Sequence, residues 1–301
     1  MRKLFSVLFV CCLSCITVTS FAQDDVRTWS LAENDTRYIF ADTAFVRIST
    51  DTKQAPIDTL LTGEEITVVK ITDKLLNLKG LTAPWIQVKY KKDGVDKEGY
   101  LWQGLISFRQ VRRGDTKFIY AIDRRMDSTV VADDGVKMVM KYFLVKLKVV
   151  QAGQLKAVNS FKIFDGESAN FGDAKIMSGL GLSNVQNIVV LTFGGEACGI
   201  ESNYFYFAWL NDSRLVPLPA RMSVGDAGAY YHDESFTFPA EKNGQPDIIR
   251  WDLVEGEATE KMDKNGEPVF KETKSTFNYS WDGVNGTFKR AESGKQKAKS
   301  Y

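Results

Sequence analysis

One cysteine and one histidine are the residues of this chain best suited to nucleophilic chemistry. His232 is the only histidine among the 301 residues, and Cys198 is the only cysteine beyond residue 15. An imidazole that deprotonates a thiol would make a cysteine hydrolase. The run Tyr204–Phe207 predicts a strand after Cys198, whereas an activated thiol of this kind opens a helix. We therefore interpret Cys198 as a buried structural thiol, with a reactive thiol as the alternative.

Three acidic residues could act in glycoside hydrolysis. Asp165, Glu167 and Asp173 lie close together in the sequence. Glycoside hydrolysis needs two carboxylates held a few ångströms apart across the scissile bond. No pattern in the sequence fixes such a separation. We therefore interpret these residues as solvated acids in loops.

The chain offers little for metal binding. Asp263, Asn265 and Glu267 supply only part of the oxygen set of a calcium loop. The sequence Asn265-Gly266 fits an ordinary hairpin turn better, because Asn-Gly is a strong hairpin signal. With one histidine, a zinc site would have to rely on carboxylates. We predict no catalytic residue, no metal and no cofactor.

The N-terminus has the three parts of a secretion signal. Two basic residues open it, the stretch Leu4–Phe21 carries no charge, and a small-residue cleavage motif ends at Ala22. We predict that residues 1–22 are removed and that residues 23–301 are exported. A membrane anchor is one alternative, and a lipoprotein acylated at Cys15 is another.

The exported chain is nearly neutral. The precursor has 39 basic and 38 acidic residues, and loss of the two basic residues of the signal leaves a formal charge of −1. A nucleic-acid-binding protein usually presents a basic face, so we expect no nucleic-acid partner. Cys198 alone remains, so no internal disulfide forms even in an oxidising compartment. We expect a periplasmic or secreted protein with no membrane span in the mature chain.

Residues 38–108 have the pattern of a small β-barrel. Short apolar runs alternate with turn signals such as Asp93-Gly94. The run Glu65–Ile71 alternates between two faces, as a strand does, and Trp85–Tyr90 forms a further run. Five short strands with this spacing close naturally into a barrel, which leaves few unpaired edges.

This stretch resembles bacterial SH3-like (SH3b) domains in the order of its landmarks. AFVRIST is similar to their opening strand, LLTGEEITVV to their glycine-then-strand step, PWIQVKY to their tryptophan strand and EGYLWQGLIS to their closing strand. The chain departs from the family in three places. The turn after the opening strand contains Thr50-Asp51-Thr52 instead of Gly-Pro-Ser, Tyr100 replaces the closing tryptophan, and the connection from Lys74 to Ala83 is longer than usual.

The resemblance implies a groove for an extended ligand of the cell envelope, such as a peptide or peptidoglycan. The residues that would line it are Tyr38, Trp85, Tyr100 and Trp102, because aromatic rings stack on a ligand with little loss of entropy. The alternative is that the two tryptophans fill the barrel core. Cell-wall hydrolases of the cysteine-peptidase type often carry such domains, so a hydrolase targeted by its SH3-like part is a second interpretation.

Residues 115–290 predict a larger antiparallel β-rich domain, for which a sandwich is one arrangement. Residues 142–150 alternate as a half-buried strand does. Strong turn signals separate the later runs, and they are Asn211-Asp212, Asn243-Gly244, Asn265-Gly266 and Asn285-Gly286. A short helix is weighed between Met126 and Met140. We interpret residues 109–114 as a linker and residues 291–301 as a disordered tail.

The sequence thus predicts a mainly β, exported and non-catalytic protein that binds or scaffolds at the bacterial cell envelope. Residues 23–37 would lead into the SH3-like barrel, which would hold the ligand. The expected partners are an envelope peptide, peptidoglycan or an envelope protein. Two alternatives stay open, namely a cell-wall hydrolase and an inhibitor or adaptor that acts on another secreted protein.

Overall fold

The computed structural model describes residues 30–131, 135–195, 197–226 and 228–291. The predicted signal at residues 1–22, residues 23–29 of the lead-in and residues 292–301 of the predicted tail lie outside this part of the chain. Antiparallel strands dominate it, two short 3-10 turns interrupt them, and the described residues include no α-helix. The mainly β prediction is confirmed.

The first half of the described chain contains ten strands. They are β1 (Thr36–Tyr38), β2 (Thr43–Val46), β3 (Asp58–Leu61), β4 (Glu65–Leu78), β5 (Leu81–Lys92), β6 (Val95–Trp102), β7 (Val111–Arg113), β8 (Thr116–Val131), β9 (Lys137–Gln151) and β10 (Gln154–Phe164). The second half contains nine more. They are β11 (Phe171–Ser178), β12 (Val185–Gly194), β13 (Ser202–Leu210), β14 (Leu215–Pro217), β15 (Arg221–Asp226), β16 (Tyr230–Thr237), β17 (Ile248–Met262), β18 (Pro268–Asp282) and β19 (Thr287–Arg290).

The first six strands enclose a small apolar core. Strands β1, β4, β5 and β6 form one sheet in the order β1-β4-β5-β6, and β2 pairs with β3. Alternate residues of these strands point inward, among them Val46, Val68 and Leu101. An isolated bridge between Arg47 and Tyr100 joins the two sheets. Gly99 allows this approach, because a Cβ there would overlap the Val46 side chain.

Strands β7 to β10 form a second sheet around a long hairpin. Its order is β10-β9-β8-β7, and β8 pairs with β9 from Thr116 opposite Gln151 to Val131 opposite Lys137. The helix weighed between Met126 and Met140 is therefore wrong for the described residues. Cross-strand pairing extends almost to the turn, which satisfies the backbone groups that a helix would otherwise bond internally.

The first two sheets share a core with the start of the third. The segment interpreted as a linker, residues 109–114, contains β7, and apolar packing continues across it. Trp102 and Phe108 on one side contact the cluster that includes Phe118 and Phe193 on the other. The ring centroids of Phe108 and Phe193 are 6.3 Å apart. This continuity means that residues 38–108 and the first part of the region 115–290 share one apolar core.

The remaining strands form one large antiparallel sheet. Its order is β11-β12-β13-β15-β16-β17-β18-β19, and β14 pairs separately with β13. All four turn signals named above lie in connections between these strands, so those turn predictions are confirmed. Gly266 and Gly286 have φ of 84° and 65°, the left-handed conformation that glycine adopts without strain. The sheet carries an aromatic surface on β16, β17 and β18.

Candidate functional site

The structure does not assemble the predicted aromatic groove. Tyr38, Trp85 and Trp102 are only 1%, 4% and 3% exposed, so no ligand reaches their rings. Tyr100 is half-buried and is the one member of the four that remains accessible. The prediction that Tyr38, Trp85 and Trp102 contact a ligand is therefore wrong. The physical reason is that the start of β5 and the end of β6 have apolar clusters on both faces, and Tyr38 on β1 packs in a third cluster.

Trp102 makes its contacts inside the protein. Its Nε1 donates to the backbone oxygens of Leu76 and Ala83, at 3.0 and 3.1 Å. Its indole covers Gly104, where a Cβ would overlap the ring. Tyr38 belongs to another buried cluster that includes Ile119. These contacts hold the first two sheets together.

Cys198 and His232 do not form a catalytic pair. Cys198 is exposed, so its interpretation as a buried thiol is wrong. It lies in the turn between β12 and β13, which leaves the side chain outside the sheet. Both ring nitrogens of His232 instead face the carboxylates of Glu234 and Glu255. The imidazole therefore has no nitrogen directed at the thiol.

Two of the other acidic candidates, Asp165 and Asp263, have structural partners. Asp165 forms an ion pair with Arg125. The Asp263 carboxylate accepts the backbone amides of Asn265 and Glu267, at 2.7 and 2.9 Å, inside the hairpin turn. These amide bonds hold the pKa of Asp263 below its usual value. Within the described ranges, no three His, Cys, Asp or Glu residues are grouped so as to hold a metal ion.

A concave aromatic surface lies on the large sheet, and we call it the C-terminal groove. It encloses about 380 Å³. Its lining residues lie between the residue before β15 and the end of β19, and they are Ala220, Glu234, Trp251, Leu253, Ser275, Phe277, Tyr279 and Arg290. Four of them, Trp251, Leu253, Phe277 and Tyr279, are half-buried, so each has one part packed and another part exposed. The groove therefore combines apolar rings with a few charged and polar groups, the composition typical of ligand sites.

The strand register brings the rings of the groove together. Phe236 pairs with Trp251, and Trp251 pairs with Phe277, so the three side chains share one face across β16, β17 and β18. The Trp251 and Phe277 rings stack with centroids 4.2 Å apart. Tyr279 meets Phe277 edge-on at 5.1 Å. The result is a rigid platform on which a ligand can stack.

Charged groups flank this platform. The guanidinium carbon of Arg290 lies 3.7 Å from the Phe277 ring centroid, a cation–π arrangement. Beyond Trp251 lies the Glu-His-Glu cluster, which comprises Glu234, His232 and Glu255. His232 Nδ1 is 2.8 Å from Glu255, and Nε2 is 3.1 Å from Glu234. Since both nitrogens face carboxylates, the doubly protonated imidazolium suits this cluster best.

The cluster makes the stability of the fold depend on pH. Burial of His232 opposes its charge, but the hydrogen bonds and charges of Glu234 and Glu255 outweigh this, so its pKa is raised above 6.5. The resulting stability is fully present below the unfolded pKa and is lost as pH rises through the folded pKa. We expect His232→Gln to lower the free energy of unfolding by about 1–2 kcal/mol at pH 5.5.

Urea unfolding of both proteins from pH 5.5 to 9 measures this difference. It should shrink as the wild-type imidazole loses its proton. Asp233→Asn, an exposed neighbour on the opposite face of β16, is the matched control and should show no such trend. A His232→Gln effect that stays constant over this range would contradict the interpretation.

Trp251, Phe277 and Arg290 were not identified as site residues from the sequence. One signal was present, because Phe277, Tyr279 and Trp281 alternate and therefore share a face. If the pairing of β17 with β18 continued without interruption from Met262 opposite Pro268, Trp251 would lie opposite Tyr279. A bulge between Ala258 and Met262 shifts the register by two residues and brings Phe277 there instead.

Comparison with known proteins adds no family. No protein-family model, curated protein or solved structure matches the chain. Among the described residues, no helix is long and apolar enough to cross a membrane. The described residues therefore define a mainly β protein with an open aromatic site, and arguments about function rest on the geometry of that site.

Proposed function

We propose that the chain is an exported, non-catalytic binding or scaffold protein of the bacterial cell envelope. In this proposal the C-terminal groove, rather than the barrel interior, holds a peptide or peptidoglycan-type ligand. The observation that carries it is the stacked platform of Trp251 and Phe277 between charged groups. The secretion pattern at residues 1–22 supports export. The lack of contact between the His232 ring nitrogens and Cys198 supports a role without catalysis.

The barrel offers a second surface that supports the scaffold part of the proposal. Phe45 on β2, Ile57 just before β3 and Leu61 on β3 are 48%, 46% and 53% exposed. Ile57 and Leu61 line an open concavity of about 420 Å³ that also includes Lys92. Exposed apolar residues that lie next to one another commonly mark contacts with other proteins. A scaffold would use this surface for an envelope protein and the groove for its ligand.

The test is sedimentation of the purified protein, carrying its native mature N-terminus, with insoluble peptidoglycan. We expect the wild-type protein to pellet, and Trp251→Ala to weaken binding roughly tenfold, which corresponds to about 1.4 kcal/mol of lost stacking. Phe45→Ala removes an exposed ring on the barrel and is the control. Thermal melts establish that each variant is folded.

Three outcomes separate the alternatives. Loss of pelleting in Trp251→Ala alone supports the groove. Loss in Phe45→Ala alone would return the ligand site to the SH3-like region and refute this placement. Release of soluble wall fragments by the wild-type protein, abolished by Cys198→Ala, would instead favour the hydrolase.

A further inference from the structure

The two ends of the C-terminal groove carry opposite kinds of charged group. Arg290 is exposed, and its guanidinium rests on the Phe277 ring. Within the described part of the chain, no carboxylate pairs with Arg290. An arginine held by stacking and free of an acidic partner can bind a carboxylate through two parallel hydrogen bonds. This end of the groove therefore suits an anionic group.

The opposite end of the groove suits a hydrogen-bond donor with positive charge. The Glu234 and Glu255 side chains are 15% and 36% exposed, and His232 lies between them. Glu234 already accepts from the Met222 backbone amide and Glu255 from the Tyr230 hydroxyl, in addition to His232, and both carboxylates have capacity for a further hydrogen bond. The nearby Arg221 does not pair with them, because its guanidinium stacks on Tyr204 at 3.7 Å and donates to the Glu234 backbone oxygen.

Strand geometry sets the distance between these ends. Arg290 rests on Phe277 of β18, and Glu234 is on β16, two strands away. Across the sheet Glu234 is level with Ser275, which is two residues from Phe277 along β18. Adjacent strands are about 4.8 Å apart and residues rise about 3.3 Å each, so the ends are separated by about 12 Å. An extended peptide spans that distance with roughly three or four residues. The rings of Trp251 and Phe277 would meet its central side chain.

We propose that the C-terminal groove binds a short zwitterionic peptide, with its terminal carboxylate on Arg290 and its amino group at Glu234 and Glu255. This inference rests on the proposed function and specifies the ligand class of that same groove. It requires both charged termini, which distinguishes it from binding of a neutral glycan.

The experiment uses calorimetric titration of the purified protein with the tripeptide Ala-Leu-Ala. The same tripeptide is also used in a C-terminally amidated form and in an N-acetylated form. We expect the amide to bind at least tenfold more weakly than the free peptide, because it has no carboxylate to accept two parallel hydrogen bonds from Arg290. The N-acetyl form should lose a similar factor, because its amino group is no longer charged.

Variants assign these effects to residues. Arg290→Gln should weaken binding of the free peptide about tenfold. The same variant should bind the amidated peptide as tightly as the wild-type protein does. Lys289→Gln removes the adjacent exposed cation on β19 and should change nothing. Glu234→Gln should abolish the difference between free and N-acetylated peptide. Melting curves of all variants show whether the fold is retained.

The inference is overturned if amidation and acetylation leave the affinity unchanged, or if the wild-type protein binds none of the three peptides. It is also overturned if Arg290→Gln weakens free peptide and amide equally. These failures leave the proposed function intact when peptidoglycan still pellets the protein through Trp251. If the peptides bind but peptidoglycan does not, the groove is a peptide site and the proposal that it binds peptidoglycan is wrong.

Discussion

Replacement of Trp102 by alanine should lower the free energy of unfolding by about 3–5 kcal/mol, the range measured for large aromatic side chains in cores. The side chain is 3% exposed, packs in the core shared by the sheets, and donates to two backbone oxygens. Alanine would leave a cavity and two carbonyls without this donor. Chemical denaturation of the purified variant gives the measurement.

Two neighbouring changes make this expectation specific. Trp102→Phe keeps most of the packing and removes the N–H, so we expect a smaller loss of about 1–2 kcal/mol. Tyr100→Ala, two positions away on the same strand, should cost about 1 kcal/mol because its ring is only half-buried. If Trp102→Ala were no more destabilising than Tyr100→Ala, the indole could not be part of the core.

Replacement of Lys148 by methionine should cost about 2–3 kcal/mol, because it removes charged hydrogen bonds from a buried position. The Lys148 side chain is 6% exposed. Its Nζ donates to the backbone oxygen of Phe40 at 2.7 Å and to Asp42 at 2.6 Å. It also lies 4.8 Å from the Phe40 ring centroid. Methionine keeps the aliphatic stem, so the change isolates the ammonium group.

The two partners of Lys148 should contribute unequally. Asp42 is 85% exposed, and exposed ion pairs contribute little, so Asp42→Asn should cost less than 1 kcal/mol. The Phe40 oxygen is the buried acceptor and carries most of the effect. Equal losses in Lys148→Met and Asp42→Asn would show that the ion pair, and not the backbone contact, joins β9 to the segment after β1.

The proposed function and the ligand inference depend on different observations. The first depends on the stacked rings of the C-terminal groove, and the second on the opposite charges at its ends. In residues 38–108, Tyr38, Trp85 and Trp102 are buried and stabilise the interior, whereas Phe45 and Leu61 on β2 and β3 are exposed.

The strand content of this protein and most of its turns could be predicted from local sequence. Residues 142–150 alternate in polarity and form part of β9, as expected of a strand with one face covered. Asn265-Gly266 and Asn285-Gly286 mark turns because backbone preferences act over a few residues. These features depend on near neighbours in the chain. They therefore need no knowledge of what packs against each strand.

The tertiary structure alone decided which rings are accessible. Side chains alternate between the two faces of a strand, but this alternation does not say which face another sheet will cover. Trp102 is buried because β8, β9 and β12 pack over it, while Trp251 remains half-exposed. The groove also depends on a bulge that places Phe277 opposite Trp251, residues that lie far apart in the sequence. Burial and register are set by long-range contacts, so local sequence could not place the site.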